Sequence, residues 1–76
     1  MMILEKKVDD KWDVAFCGMV VSDPVIVGEG LNMLDTVENK YYCTSSITDI
    51  RLEDMVLCFN TKSGSDYRLI NLDFTM

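Results

Sequence analysis

Residues 44–74 read TSSITDIRLEDMVLCFNTKSGSDYRLINLDF. Short runs of β-branched, aromatic and aliphatic residues alternate there with polar turn residues at a spacing of about ten, which is typical of a meander of strands. Met55–Asn60 is a continuous apolar run, as expected of a central strand that is covered on both faces. Lys62–Ser65 contains a glycine that can adopt a positive φ, so it predicts a hairpin connection.

The same alternation continues towards the amino end. Trp12, Val14 and Phe16 recur with a period of two, which predicts a strand with one buried face. Leu31–Val37 fits a strand better than a helix because it lacks an N-cap signal, although its first residues would also fit one helical turn. The predicted strands are Met2–Val8, Trp12–Val21, Val25–Val27, Leu31–Val37, Tyr41–Thr44, Ile47–Arg51, Met55–Asn60 and a last strand from Tyr67.

These patterns predict an all-β fold for the single domain formed by residues 1–76. We expect a small barrel or sandwich of about six to eight short antiparallel strands, with at most one short helical turn. A chain of this length has little area with which to cover its sheet edges, so we also expect a homodimer. The predicted core comprises Trp12, Phe16, Val20, Ile26, Met55, Leu57, Phe59 and Leu69.

The charge of the chain is strongly acidic. Thirteen Asp and Glu residues outnumber seven Lys and Arg residues, for a net charge of −6. This balance argues against direct binding of duplex nucleic acid, which needs clustered cations, and it favours a basic partner surface. Clustering of the acids on one face would indicate a binding surface, whereas an even scatter would indicate solubility alone. The candidate partner-binding residues are Asp9, Asp10, Asp13, Asp23, Glu29, Asp49, Glu53 and Asp54, together with Tyr41 as an exposed interface tyrosine.

The residues of catalysis and metal binding are missing from the sequence. It has no histidine, the usual base beside a nucleophile, and its three cysteines lack the close spacing of zinc ligands. We therefore expect no enzyme activity, no catalytic residue, no metal and no cofactor. Cys17, Cys43 and Cys58 each lie in an apolar stretch, so we expect them to be buried thiols in a reducing compartment. The longest uncharged stretch, Val14 to Ser22, is far shorter than the roughly 18 residues of a membrane span, so we expect no membrane association.

Two segments near the carboxyl end carry a resemblance. Residues 44–50, TSSITDI, followed by residues 60–69, NTKSGSDYRL, resemble the ends of small uncharacterised phage and prophage proteins. The resemblance covers about the last third of the chain. It implies an origin in a phage and a location in the cytoplasm of a host cell. It also implies a role as an inhibitor of host defence, directed against CRISPR effectors or nucleotide signalling.

Three functions remain open from the sequence. The leading hypothesis is a non-enzymatic binding protein, encoded by a phage, whose acidic surface blocks a basic nucleic-acid groove on a host defence or nucleic-acid-handling protein. The alternative is an oligomeric sponge that binds a small nucleotide signal, which requires its cations to converge. Its candidate ligand-binding residues are Thr44, Ser46, Arg51, Lys62 and Arg68. The third is a component of virion assembly.

Overall fold

A computed structural model describes residues 1–21 and 25–71 of the chain. Within these residues the fold is all-β, as predicted, and no helix is present. The strands are β1 (Met2–Val8), β2 (Lys11–Val20), β3 (Gly30–Asp35), β4 (Lys40–Glu53), β5 (Val56–Thr61) and β6 (Asp66–Asn71). The described part of the chain therefore has no helix that is long and apolar enough to cross a lipid bilayer.

The strands form a closed antiparallel barrel in sequence order. Each strand pairs with the next, and β6 returns to β1 in a register that runs from Met2 opposite Asn71 to Lys6 opposite Tyr67. Closure removes the free edges that make small sheets prone to aggregation. Because β6 is paired with both β5 and β1, a second copy cannot add a strand there. The homodimer itself remains a prediction.

Strand β2 changes partner at Gly18. Residues before it pair with β1, and Met19 and Val20 pair with β3. A Cβ atom at Gly18 would lie 2.4 Å from the backbone oxygen of Leu34, so only glycine lets β3 approach this closely. The register of β1 and β2 also shifts between Leu4 and Glu5, and such a bulge increases the local twist that closes a barrel.

Strand β4 joins two strands that the sequence had predicted separately, Tyr41–Thr44 and Ile47–Arg51. Its first half pairs with β3 and its second half pairs with β5, with a register shift between Ile47 and Asp49. Ser45 and Ser46, which lie between the two predicted strands, do not interrupt β4. The backbone oxygen of Ser46 accepts a hydrogen bond from the amide of Lys62 at 2.8 Å and so continues the pairing of the strand.

The predicted strand Val25–Val27 is wrong. The chain there forms an irregular connection that ends in a turn at Val27 and Gly28. Gly28 has a φ of 99° and donates its amide to the oxygen of Ile47, while the amide of Glu29 bonds back to the oxygen of Ile26. These hydrogen bonds close a turn and attach it to Ile47 of β4, so the segment does not form a strand of its own. By contrast, the strand predicted from Leu31 is confirmed by β3.

The core lies inside the barrel, and it confirms part of the prediction. Phe59 and Leu69 are buried, and Phe16, Val20 and Leu57 are half-buried against them. The core also contains residues that were not predicted, namely Leu4, Leu31, Met33, Ile47 and Tyr67.

Three of the predicted core residues lie elsewhere. Ile26 lies in the connection before β3 and is exposed, and Met55 lies in the β4–β5 turn and is 95% exposed. Trp12 is opposite Lys7 in the register and only half-buried, on the outer face of the barrel. These three residues were predicted to be buried because they are apolar. Their exposure instead follows from their positions in a connection, in a turn and on the outward-facing side of a strand.

Two of the three cysteines are also not buried as expected. Cys17 pairs opposite Ile3 on the outer face and is exposed, because its neighbour Phe16 takes the inward position. Cys43 is exposed by the same alternation, since Tyr42 and Thr44 point towards the interior. Only Cys58 is a buried thiol among the three.

Candidate functional site

A row of side chains crosses the outer face of β4, β5 and β6. Arg51, Cys58 and Arg68 are direct neighbours in the antiparallel registers, so they project from the same side of the sheet. Cys58 is only 3% exposed although it faces outwards, as expected beneath two long arginine side chains. Burial, followed by the charge of Glu53, raises the pKa of the Cys58 thiol, so this cysteine is a poor nucleophile.

Arg51 is surrounded by acceptors. Its guanidinium lies 3.0 Å from Glu53 Oε2, 3.1 Å from Asp66 Oδ1 and 3.8 Å from Asp49 Oδ2. It also donates a hydrogen bond to Asn60 Oδ1 on the adjacent strand. The hydrogen bonds with Asp66 and then Glu53 raise the pKa of Arg51 above its ordinary value. This cation is therefore held by its own chain rather than presented to an anionic ligand.

The acids around Arg51 outnumber it. We define the acidic face as Asp49, Arg51, Glu53, Asp54 and Asp66, in which Asp54 extends the group into the β4–β5 turn. Four carboxylates against one guanidinium give the face a formal charge of −3. Asp49, Glu53 and Asp54 were predicted from the sequence. Asp66 was missed because only the register of β4, β5 and β6 brings it to Arg51.

The predicted acids at the other hairpin have a different environment. Asp9 and Asp10 form the β1–β2 turn, and Asp13 on β2 lies opposite Lys6 on β1. Lys7 and Lys11 lie in the same hairpin, so three acids and three lysines balance between residues 6 and 13. Six of the eight predicted acids therefore fall in two separate groups, and only the group at the β4–β5 hairpin has excess negative charge.

The aromatic residue of the β1–β2 hairpin is covered by cations. The ring of Trp12 has the guanidinium carbon of Arg68 4.7 Å and the ammonium of Lys7 5.8 Å from its centroid. Arg68 is also ion-paired with Glu5 across β6 and β1. Such cation–π contacts stabilise the outer face and occupy both Trp12 and Arg68.

The remaining predicted partner-binding residues do not join the acidic face. Glu29 lies in the connection before β3, where its backbone oxygen accepts the amide of Ile47. Tyr41 is exposed at the start of β4, opposite Leu34. Asp23 lies outside the described residues.

An apolar groove of about 560 Å³ opens beside the acidic face. It is lined by Leu52, Met55, Val56, Leu57, Leu69, Ile70 and Asn71. Leu69, Leu57 and Leu52 are neighbours across β6, β5 and β4, and their exposure increases in that order from the core to the surface. The inward-facing apolar row thus continues beyond the closed part of the barrel. Sequence reasoning missed this groove because it assigned Leu52 to a turn and Met55 to the core.

The residues of the alternative ligand site do not converge on an open pocket. Thr44 is buried, and its hydroxyl accepts the Leu31 amide at 2.9 Å and donates to the Ser45 oxygen at 2.8 Å. Arg51 and Arg68 are ion-paired within the sheet, whereas Lys62 lies in the β5–β6 turn. Ser46 accepts the Lys62 amide through its backbone oxygen.

The amides of residues 61–64, which form most of the β5–β6 turn, already bond within the chain and are not free for an anion. The amides of Thr61 and Gly64 bond to the backbone oxygens of Ser65 and Thr61, and that of Ser63 bonds to the hydroxyl of Ser45. A backbone nest binds an anion through successive unoccupied amides. This turn uses those amides to hold its own shape.

A pair of tyrosines lies at the edge of the core. The hydroxyls of Tyr42 and Tyr67 are 3.2 Å apart, and their rings stack on Phe16 and Phe59 with centroids 5.5 and 5.3 Å apart. Burial, the hydrogen bond and the charge of Tyr67 together raise the pKa of Tyr42 to about 12. This hydroxyl stays protonated near neutral pH, so the pair is a structural contact. Among residues 1–21 and 25–71, no cluster of His, Cys, Asp and Glu could hold a metal ion.

No protein-family model matches this chain, and no curated protein and no solved structure matches it. The acidic face and the adjoining groove are therefore the features of the chain from which a function can be inferred.

Proposed function

We propose that this chain is a non-enzymatic binding protein that contacts a basic surface of a partner protein through its acidic face. The observation that carries this proposal is that the two groups of acids differ in local charge balance. Lysines balance the acids of the β1–β2 hairpin, whereas Arg51 neutralises only part of the charge of Asp49, Glu53, Asp54 and Asp66. A charge needed only for solubility has no reason to concentrate in this way.

The geometry of the acidic face supports recognition by preorganised charge. Arg51 holds Glu53 and Asp66 at hydrogen-bond distance, so these carboxylates are fixed before a partner arrives. A fixed array loses less side-chain entropy on binding than a set of mobile acids. Complementary charge also accelerates encounter with a basic surface and disfavours anionic competitors.

The resemblance to small phage proteins extends the proposal to a class of partner. A host defence or nucleic-acid-handling protein presents a basic groove to phosphates, and an acidic face can occupy that groove in their place. In this proposal the chain is encoded by a phage and inhibits its partner by competing with nucleic acid in the host cytoplasm.

The test begins with capture of partners from a host lysate on the immobilised wild-type chain, followed by measurement of the affinity for each purified partner. The charge-removal variant is Asp49→Asn, Glu53→Gln and Asp54→Asn, which leaves the pair of Arg51 and Asp66 in place. The control is Asp9→Asn, Asp10→Asn and Asp13→Asn, which removes the same charge from the other hairpin.

We expect the first variant to weaken binding about tenfold or more and the control to have little effect, with wild-type affinity falling as salt increases. Added nucleic acid should displace the chain from its partner. Equal losses in both triple variants would mean that net charge alone governs binding, and the proposal would then be wrong.

A further inference from the structure

The β4–β5 turn combines two features that the barrel itself does not require. Met55 has a φ of 66° and is 95% exposed, and Leu52 before the turn is 74% exposed. Positive φ disfavours a residue with a long side chain, and glycine, asparagine and aspartate are the usual choices. The β1–β2 hairpin closes with Asp9 and Asp10 in the same region of φ, so this backbone shape needs no methionine.

The two exposed side chains belong to the apolar groove and are not isolated. Leu52 and Met55 line it together with Leu57 and Leu69, which connect it to the core. Its volume of about 560 Å³ falls within the roughly 300–1,000 Å³ of typical ligand pockets. Large apolar surfaces rimmed by polar residues mark sites of interaction, and methionine adapts its shape to varied apolar partners.

Two acids lie next to the residues that line the groove. Glu53 pairs opposite the lining residue Val56, and Asp54 lies in the turn between Leu52 and Met55, so these carboxylates form the rim of the groove on the side of the acidic face. Anionic lipid and nucleic acid are repelled by this rim. A second copy in two-fold contact would place one acidic face against another, which costs free energy.

We propose that the groove binds a peptide segment of a partner protein in which one large apolar side chain is flanked by lysine or arginine. The apolar side chain enters between Leu52, Met55 and Leu57, and the flanking cations pair with Glu53 and Asp54. This inference rests on the proposed function, and it adds a specific anchor to the acidic contact. Buried apolar anchors with charged neighbours are the usual source of affinity in such interfaces.

The probe is a short synthetic peptide of alternating lysine and phenylalanine, titrated into the isotopically labelled full chain and followed by NMR. Two matched peptides separate the two contributions: glutamate with phenylalanine, and lysine with serine. We expect amide shifts between residues 52 and 57 and between residues 69 and 71 with the first peptide, and affinities about tenfold weaker with each of the others.

Two substitutions locate the site. Met55→Ser should weaken the lysine–phenylalanine peptide about tenfold. Val37→Ser, which replaces an exposed valine of the β3–β4 turn, should leave the affinity unchanged. Both positions are almost fully exposed, so neither substitution should unfold the chain, and the NMR spectra report folding directly.

Four results would overturn the groove proposal. Two come from the peptide titration: the glutamate peptide binds as tightly as the lysine peptide, or the amide shifts are centred away from the groove. The third is that Met55→Ser and Val37→Ser have equal effects on affinity, and the fourth is that Leu52 and Met55 contact another residue of the same chain or a second copy before peptide is added. If Met55→Ser keeps full affinity for a captured partner while the charge-removal variant loses it, the groove proposal fails and the proposed function stands. If neither variant loses affinity, both fail.

Discussion

Two hairpins of the barrel, β1–β2 and β4–β5, are closed by two-residue turns in which both residues have positive φ. The φ values are 51° and 63° for Asp9 and Asp10, and 53° and 66° for Asp54 and Met55. Two-residue turns of this kind match the twist of the flanking strands. The two turns have the same backbone conformation, but different residue types adopt it.

The two turns differ in how well their residues suit the backbone conformation. Aspartate tolerates positive φ because its short side chain can bond to nearby backbone, whereas methionine has no such compensation. The β1–β2 hairpin also balances its acids with lysines, whereas the acidic face beside the β4–β5 turn keeps a formal charge of −3. A hairpin that departs from local preference in both conformation and charge is where function is expected to lie.

A substitution in the core that supports both hairpins should cause the greatest loss of stability. Phe59 is fully buried and stacks on Tyr67, so Phe59→Ala should reduce the free energy of unfolding by about 3–5 kcal/mol. Urea denaturation measures the change. The control Val14→Ala lies on the exposed outer face and should change stability by less than about 0.5 kcal/mol. A small loss at Phe59 would show that the barrel is packed differently.

Alkaline pH should lower the stability of the protein through Tyr42 at the edge of the core, and not through either turn. The pKa of Tyr42 is raised from 10.0 to about 12, so the unfolded state loses this proton first. The contribution of Tyr42 to stability is complete below pH 10 and is lost as the pH rises from 10 to about 12. Urea denaturation across this range should show a weaker decline in Tyr42→Phe than in the wild type. Identical declines would place the Tyr42 hydroxyl in solvent.

A glycine at the second position of each turn should reveal how much strain that position carries. Met55→Gly should raise the free energy of unfolding by about 0.5–1 kcal/mol, because it relieves a disfavoured φ and removes little buried surface. Asp10→Gly should give a smaller change, since aspartate already tolerates this conformation. Equal gains at the two positions would mean that the turns carry no different strain.

Labelling of the thiols should perturb the protein least, and it measures how well each cysteine is covered by its neighbours. Cys17 on β2 is exposed, whereas Cys58 lies between Arg51 and Arg68 and has a raised pKa because it is buried. A thiol reagent should label Cys17 and Cys43 quickly in the folded chain and Cys58 only after unfolding. Mass spectrometry of peptides from the labelled protein distinguishes the sites. Rapid labelling of Cys58 would show that the arginines leave it open.

Period-two alternation and turn residues were sufficient to predict most of the fold. They placed the first strand at Met2–Val8 and the hairpin at Lys62–Ser65, both as observed. They failed where hydrogen bonds from distant residues decide the structure. The strands predicted at Tyr41–Thr44 and Ile47–Arg51 are one strand, since Ser46 bonds to Lys62, which is far along the chain. The predicted strand Val25–Val27 is a connection, since the neighbouring Gly28 and Glu29 bond to Ile47 of β4.

The candidate site was less predictable than the fold for a related reason. Asp49, Glu53 and Asp54 could be named from charge alone, but their grouping with Asp66 requires the register of three strands. The groove depends on which apolar residues the barrel leaves uncovered. Leu52 and Leu69 have the same chemistry and lie on the same face, yet only the end of the sheet exposes Leu52.

We propose that the unfavourable conformation of Met55 lowers the stability of the β4–β5 turn and serves binding, and one variant tests this with two measurements. We predict that Met55→Gly, compared with the wild type, unfolds at higher urea concentration and binds the lysine–phenylalanine peptide about tenfold more weakly. A stabilised variant that keeps the affinity of the wild type would contradict the claim, because the strained methionine would then have no part in binding.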